Sequence, residues 1–185
     1  MPDENINIRL LIQGCLNQNI GSQRKLYECF YGYGMSICLR YAKNEIEAEE
    51  IYNDAFLKVF RNLNQYDPNF PFKGWLRKVI VNTAIDYYRK FKKHQVIFES
   101  DNMEIIADSS SLPLIDNKDD ILPIIQQLPP KYKLVFNLYV MEGYKHDEIA
   151  AELNISVGTS RSNLARAKAN IRTAWEKYYP KRVVK

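Results

Sequence analysis

The sequence predicts an all-α protein in which two small helical domains are joined by an acidic, flexible linker. Apolar residues recur every three or four positions on both sides of the chain's centre, and no stretch shows the sustained alternation typical of a strand. The charge divides the chain in the same way: residues 97–127 hold one Lys and seven acidic residues, whereas the segments before and after carry net charges of +4 and +6. We therefore expect three segments: a domain at 1–94, a linker at 95–122 and a domain at 123–185.

The net positive charge on both sides of the linker suggests that both domains bind a polyanion. Between them, the stretch "ESDNMEIIADSSSLPLIDNKDD" is rich in Asp, Ser and Asn and shows no sustained apolar period. Such a composition is typical of an extended or disordered tether. For each domain taken alone, the alternative explanation of its positive charge is a set of solvated helix faces beside a disordered linker.

The N-terminal domain contains two segments with the period of an amphipathic helix. The first runs from Ile46 to Leu63 and the second from Phe72 to Phe91. Their expected inward residues are Ile46, Ala55, Phe56, Val59, Phe60 and Leu63 in the first helix, and Phe72, Trp75, Leu76, Val79, Thr83 and Tyr87 in the second.

The first of these helices has an acidic face opposite its apolar stripe. Glu47, Glu50 and Asp54 share that face, with Glu45 and Glu49 nearby. Because a surface of this charge repels DNA, it is either plain solvated surface or a docking face for a basic protein partner.

The second helix carries aromatic and basic residues along one strip. Trp75, Lys78, Asn82, Asp86 and Arg89 succeed one another at three- or four-residue steps, and the run "YYRKFKK", which includes Arg89, begins directly after Asp86. Rings stack on exposed bases and cations track the backbone, so this composition suits unpaired nucleic acid. The preceding loop, "NQYDPNFPFKG", contains two prolines and three aromatic residues and is stiff enough to shape a pocket for an extruded base. The alternative is that Trp75 and the tyrosines simply belong to the core.

The C-terminal domain contains a predicted helix-turn-helix in "HDEIAAELNISVGTSRSNLARAK". Asn154 lies where the turn needs a left-handed residue, and Ser156 is well placed as the N-cap of the second helix. The expected buried side of that helix is Val157, Ser160, Leu164, Ala167, Ile171 and Trp175. Projection at 100° per residue places Thr159, Ser162, Asn163 and Arg166 opposite, with Arg161, Lys168 and Arg172 along one flank.

The outward residues of this second helix suit the major groove of duplex DNA. Arg and Asn side chains bond base edges in bidentate fashion, while Ser, Thr and N-terminal amides hold phosphates. An ordinary helical hairpin with a solvated basic face is the alternative.

Other functional classes find little support in the composition. The chain has three cysteines without C-x-x-C spacing and two histidines far apart, so we expect buried free thiols and no metal site, cofactor or small-molecule substrate. An enzyme acting on nucleic acid would need a Gly loop that cradles phosphate or a cluster of inward carboxylates, and the sequence shows neither. The acidic start and the lack of a long apolar run predict a soluble, cytoplasmic protein.

Taken together, these segments resemble bacterial RNA polymerase sigma factors of the extracytoplasmic-function group. Three motifs carry the resemblance, in order and across both domains: "EAEEIYNDAFLKVF", "FKGWLRKVIVNTAIDYYRK" and "LPPKYKLVFNLYVMEGYKHDEIAAELNISVGTSRSNLARAKANIR". The resemblance implies a protein that performs no catalysis, with core RNA polymerase and promoter DNA as its partners. An anti-sigma factor is a further partner that many relatives have.

The resemblance also implies roles for individual residues. The acidic helix matches the part that docks on the clamp helices of the polymerase largest subunit, and the polymerase flap is a further implied contact. The implied polymerase-binding residues are Glu47, Glu50, Asn53 and Asp54. Those implied to recognise and melt the minus-10 element, where a non-template base is flipped into a pocket, are Phe72, Trp75, Lys78, Asn82 and Arg89. Those implied to read the minus-35 element are Thr159, Arg161, Ser162, Asn163 and Arg166.

Three positions depart from the common family pattern. Asn154 stands where many members have Gly, and Ser160 stands where many have Val. We expect the buried Ser160 hydroxyl to bond to the carbonyl one turn back. Asn163 occupies a position that is often basic, so the minus-35 preference cannot be inherited from relatives.

A dimeric helix-turn-helix repressor or response regulator would use the C-terminal domain in the same way. That alternative predicts tight binding to palindromic duplex without polymerase. It leaves the acidic helix and the strip with Trp75, Asn82 and Arg89 unexplained.

Overall fold

A computed structural model describes residues 7–95 and 121–178, and within these ranges all regular structure is helical. The described helices are α1 (Ile8–Leu16), α2 (Ile20–Tyr41), α3 (Glu45–Asn62), α4 (Phe72–Gln95), α5 (Leu122–Gln126), α6 (Pro130–Phe136), α7 (His146–Leu153) and α8 (Val157–Tyr178). A 3₁₀ turn, Leu63–Gln65, comes after α3, and a π-helical turn, Asn137–Met141, comes after α6. The all-α prediction is confirmed. The linker predicted at 95–122 lies almost wholly outside the described residues.

The chain forms two compact units, Met1–Ala84 and Ile85–Lys185. The division falls within α4, so this helix contributes residues to both units. The domain limits 1–94 and 123–185 stay predictions.

The first unit is built around apolar side chains of α2, α3 and the first half of α4. Phe30, Tyr52 and Phe56 are almost fully buried, and their rings supply much of the core volume. Gly34 on α2 permits the close approach of α3, because a Cβ atom at that position would lie 2.2 Å from the Tyr52 ring. The Tyr52 hydroxyl donates to the backbone carbonyl of Tyr27 across 2.8 Å, so this buried polar group is satisfied.

Most of the predicted inward residues of α3 and α4 are buried, but the ends of the stripe differ from expectation. Ile46, expected to face inward, has 71% of its surface exposed. It lies in the first turn of α3, and the buried stripe begins only at Ala48. On α4, Val79 and Tyr87 are half-buried, and the most deeply buried positions are Leu76, Ile80, Val81, Thr83, Ala84 and Ile85.

The second unit has a core formed by α5 to α8. Ile124, Val135, Leu138, Ile149 and Ala167 are buried within it. Pro130 begins α6, a position where the missing amide hydrogen costs nothing. The helix then widens into the π-helical turn, in which the Glu142 amide donates to the Asn137 carbonyl five residues back.

Candidate nucleic-acid interface

The turn between α7 and α8 has the geometry that the sequence predicted. Asn154 is left-handed, with φ 51° and ψ 53°, and ends α7. The Ser156 hydroxyl accepts a hydrogen bond from the Thr159 amide across 3.0 Å, which satisfies one of the unpaired amides at the start of α8. Both predictions are confirmed, and together they fix the direction in which α8 leaves the turn.

The exposed side of α8 carries four of the five predicted minus-35 residues. Thr159, Arg161, Ser162 and Arg166 are exposed, and Asn163 is half-buried. The opposite side buries Ser160, Leu164 and Ala167 as predicted. Two positions expected on the buried side, Ile171 and Trp175, are only half-buried. A third, Val157, is exposed because it begins the helix, ahead of the buried side that starts at Ser160.

Several of the exposed polar groups are held by neighbours within the unit. The Arg166 guanidinium donates to the hydroxyl of Tyr132 on α6 across 3.0 Å. The Ser162 hydroxyl donates to the Thr159 carbonyl across 3.0 Å, and the hydroxyls of Thr159 and Ser156 lie 2.8 Å apart. These contacts reduce the number of rotamers that the side chains sample before they meet a ligand.

The buried Ser160 hydroxyl has a partner that the sequence did not predict. We expected a bond to the carbonyl one turn back, but the hydroxyl lies 2.9 Å from Nδ1 of His146, the first residue of α7. The His146 ring stacks on Tyr139 of the π-helical turn, with ring centroids 4.5 Å apart and an interplanar angle of 24°. The expectation was wrong because it considered only partners within α8, whereas packing brings another helix's polar ring within reach.

A cavity of about 570 Å³ opens beside this contact. Its lining combines two cationic side chains, Lys145 and Arg161, with the rings of Tyr139 and Tyr144. Burial raises the pKa of Tyr144, as do nearby glutamates, so its phenol stays neutral and able to donate a hydrogen bond. The remaining lining residues are Gly143, His146, Asp147 and Val157.

The predicted minus-10 residues lie along α4. Lys78, Asn82 and Arg89 are exposed, and Trp75 is half-buried. Arg89 forms ion pairs with Asp86, at 3.4 Å, and with Glu152, at 3.1 Å.

Phe72 differs from the other residues of this group, because only 5% of its surface is exposed. Its ring lies 5.0 Å from that of Phe30, 5.3 Å from Tyr66 and 5.7 Å from Trp75. A direct contact between the Phe72 ring and a base does not fit this arrangement. The Phe72 ring instead packs against the ring of Trp75. Trp75 is therefore part of an aromatic cluster and is also partly open to solvent.

The loop before α4 is braced by its own hydrogen bonds. The Tyr66 hydroxyl donates to the Phe70 carbonyl across 2.6 Å, and the Asp67 carboxylate accepts from the Asn69 amide across 2.9 Å. Phe70 remains two-thirds exposed. The stiffness predicted from the two prolines therefore has a second source. The Tyr66 ring of the same loop lies 5.5 Å from the ring of Trp75, between ring centroids.

The predicted polymerase-binding residues of α3 fall into two groups. Glu50, Asn53 and Asp54 are exposed. Glu47 is half-buried and takes part in two hydrogen bonds at the start of α3: its amide donates to the side chain of the N-cap Asn44 across 2.9 Å, and its carboxylate accepts from the amide of Lys43, the residue before the N-cap. Glu47 therefore has a structural task at the start of α3.

Two tyrosines of α2 brace this acidic face. The Tyr27 hydroxyl donates to Asn53 across 2.8 Å, and the Tyr31 hydroxyl donates to Glu49 across 2.9 Å. The hydrogen bond to Glu49 raises the pKa of Tyr31, while burial, together with the charge of Glu49, raises the pKa of Tyr27. Sequence reasoning missed both tyrosines, since their spacing on α2 marks them only as core aromatics.

Among the described residues no group of three or more His, Cys, Asp and Glu side chains could hold a metal ion. In the same part of the chain, none of the helices has the length and apolar character needed to cross a membrane.

Two protein-family models match the chain: Sigma-70 region 2 at residues 26–94, and Sigma-70, region 4 at residues 118–171. The first match covers α3, the loop and α4, and the second covers the helix-turn-helix.

Curated relatives point the same way. The extracytoplasmic-function sigma factor SigE of Mycolicibacterium smegmatis is 28% identical over 146 residues, which are 74% of this chain and 54% of that protein. SigW of Bacillus subtilis is 29% identical over 149 residues, covering 74% and 79% of the two chains. SigM of Bacillus subtilis is 23% identical over 155 residues, covering 83% and 94%. The chain thus spans about half the length of the first relative and most of the other two. A solved structure of CnrH in complex with the cytosolic domain of CnrY also aligns, at 18% identity and TM-score 0.46, over 91% of this chain and 97% of that one.

Proposed function

This chain belongs to the sigma-70 family of RNA polymerase sigma factors, in its extracytoplasmic-function group, and from that premise we propose that it directs promoter-specific initiation by core RNA polymerase. The observation that carries the proposal is the exposed side of α8, which presents Thr159, Arg161, Ser162 and Arg166 beyond a properly capped turn. These side chains have the chemistry that bonds base edges and phosphates in a major groove. In this function they read the minus-35 element.

The strip on α4 supplies the second DNA contact. Lys78 and Asn82 are exposed beside the half-buried Trp75, and the braced loop adds the open ring of Phe70. An aromatic platform next to a cation and an amide suits a base that has left the duplex, since stacking contributes about 1–3 kcal/mol per base. In the proposed function this surface captures the non-template strand of the minus-10 element.

The acidic face of α3 provides the contact to polymerase. Glu50, Asn53 and Asp54 are exposed there, and Tyr27 and Tyr31 hold the neighbouring polar groups in place. A negative surface repels DNA and attracts a basic protein surface, which fits docking on the clamp helices of the largest subunit. In the proposed function the DNA contacts are therefore made by cationic, polar and aromatic side chains, and the polymerase contact is made by an acidic surface.

The mechanism assigns no bond-making step to this chain, because the polymerase performs the phosphodiester chemistry. Two modest DNA contacts on one chain act together: once the first has formed, the second is made at a high effective concentration. Specificity then depends on the pair of elements and on their spacing, which both contacts must fit at once.

The experiment that tests the proposal is transcription of genomic fragments by core polymerase with and without the protein. Transcripts from discrete start sites that need both components are expected, and their aligned upstream sequences give both promoter elements. If transcription does not change and the protein alone shifts particular palindromic duplexes, the chain acts as a repressor and the proposal is wrong.

A further inference from the structure

The contact between His146 and Ser160 is a polar link between the two helices of the helix-turn-helix. Ser160 lies one turn into α8 and is fully buried. A buried hydroxyl without a partner is costly, and its partner here comes from another helix, the first residue of α7. Apart from this contact, the facing sides of the two helices bury apolar groups: Ile149 and Ala150 on α7, and Leu164 and Ala167 on α8.

The difference between these two kinds of contact matters for the orientation of α8. Apolar burial depends little on direction, so it tolerates small rotations of a helix about its axis. A hydrogen bond weakens steeply when its distance or angle departs from the preferred range. The bond to Ser160 therefore resists rotation of α8 at its first turn more strongly than the apolar contacts around it do.

The His146 ring is itself held in place from the other side. It stacks on Tyr139 at 4.5 Å, so the imidazole lies between the π-helical turn and α8. A ring fixed on two sides is a better reference point than a freely rotating side chain, because little rotamer entropy is lost when it forms its bond.

The predicted reading residues leave α8 from the same turn as Ser160. Thr159 and Arg161 are its chain neighbours, and both are exposed. With side chains a helix has a radius of about 5–6 Å, so a rotation of about 20° moves a side-chain end by about 2 Å. That displacement is enough to break a bidentate bond to a base edge.

We propose that His146 is a positioning residue for minus-35 reading, whose hydrogen bond to Ser160 sets the rotation of the exposed side of α8. The inference rests on the proposed function and adds to it a residue that lies outside the reading face. It also gives the Ser160 hydroxyl a purpose at a position where an apolar side chain would fill the same place.

The test compares four full-length variants in holoenzyme. His146→Phe keeps a ring to stack on Tyr139 but cannot bond Ser160, and Ser160→Ala severs the same bond from the other side. His146→Asn places a polar atom close to the site of Nδ1 and should rescue the contact. Thr173→Val, which changes an exposed hydroxyl farther along α8, is the matched control.

Two quantities are measured for each variant: the ratio of initiation on matched to scrambled minus-35 DNA, and amide hydrogen exchange over the first turns of α8. In His146→Phe and Ser160→Ala the ratio should fall by about 3- to 10-fold, which is the effect of one hydrogen bond. The amide hydrogens in the first turns of α8 should exchange faster in both variants. The Asn variant should recover most of both, and the control should match the unchanged protein.

An unchanged ratio in both severing variants would overturn the proposal. So would equal losses on matched and scrambled DNA with no recovery in the Asn variant, since that pattern belongs to a residue needed only for stability. Initiation by the unchanged protein is a separate result. If it fails, the proposed function falls, and the same variants are then compared by their discrimination in duplex binding by the chain alone.

Discussion

Arg166 and Tyr132 are joined by a hydrogen bond of 3.0 Å from the guanidinium on α8 to the phenol oxygen on α6. Tyr132 is buried, so the predicted DNA-reading residue is oriented by a side chain that belongs to the core of the unit. Pre-orientation of this kind lowers the entropy lost when the guanidinium binds a base.

Removing the Arg166 side chain should weaken minus-35 discrimination. Arg166→Ala should reduce the preference for matched over scrambled minus-35 DNA by about 1–3 kcal/mol, because a bidentate base contact is lost. The measurement is initiation or promoter binding by holoenzyme on the two templates. Equal losses on both templates would show that Arg166 holds phosphate only.

Removing only the Tyr132 hydroxyl should give a smaller effect of the same kind. Tyr132→Phe leaves the packing of α6 intact and removes one hydrogen-bond partner of the guanidinium, so discrimination should fall by about 0.5–1 kcal/mol. The double variant Tyr132→Phe with Arg166→Ala should behave like Arg166→Ala alone. If the two losses simply add, the hydroxyl does not act through Arg166.

Asn82 should act after the first encounter with the promoter. Asn82→Ala should slow strand opening by about 10-fold and leave closed-complex binding nearly unchanged, because in the proposed function its amide meets only an unpaired base. Permanganate reactivity of minus-10 thymines reports opening, and binding at low temperature reports the closed complex. A variant that melts promoters at the normal rate would remove Asn82 from the mechanism.

Substitutions in the two groups of acidic residues on α3 should affect different properties, polymerase binding in one group and stability in the other. Charge reversal at Glu50 or Asp54 should weaken binding to core polymerase by about 5- to 30-fold at low salt and leave thermal stability unchanged. Glu47→Ala should do the reverse and lower the free energy of unfolding by about 1 kcal/mol, because it removes the carboxylate that accepts the Lys43 amide at the start of α3. Competition for core polymerase and thermal melting are the two assays. Normal melting of the Glu47 variant would contradict the structural role.

Alkaline pH should destabilise the first unit through Cys38. Burial raises the pKa of its thiol to about 12, so the folded state keeps a proton that the unfolded state gives up at lower pH. The stabilisation is full below the unfolded thiol's range and is lost as the pH rises toward 12, with a slope of up to about 1.4 kcal/mol per pH unit. Urea unfolding at several pH values checks this, and Cys38→Ala should flatten the slope. An equal slope in both proteins would contradict the assignment to Cys38.

The sequence predicted the helices well because their signals are local. A 3.6-residue apolar period, a left-handed Asn154 and a capping Ser156 each depend on neighbours within a few positions, and the structure has all three. Helix ends were less predictable, since the first turn projects beyond the core: Ile46 and Val157 continue a stripe in sequence but meet solvent in the fold.

The partners of the site residues could not be predicted, because they depend on packing between helices. Tyr27 meets Asn53 from 26 residues away, Tyr132 meets Arg166 from 34 residues away, and His146 meets Ser160 across the turn. No periodicity encodes such a pairing. The role of Glu47 was ambiguous for another reason: one carboxylate fits both an acidic docking face and a structural bond at the helix start, and only its contact with the Lys43 amide separates the two.

Because of the π-helical turn at Asn137–Met141, the number of residues in this segment determines where the Tyr139 ring lies relative to His146. A turn closed by five-residue bonds holds one residue more than an α-helical path between the same ends. Deleting one residue there would restore ordinary α-helical pairing between the same ends, so the flanking segments would keep their directions while side chains inside the turn would move around the axis by up to about 100°. The Tyr139 ring would then leave His146, however well each remaining side chain was kept. In this segment an insertion or deletion is therefore a more drastic change than most substitutions.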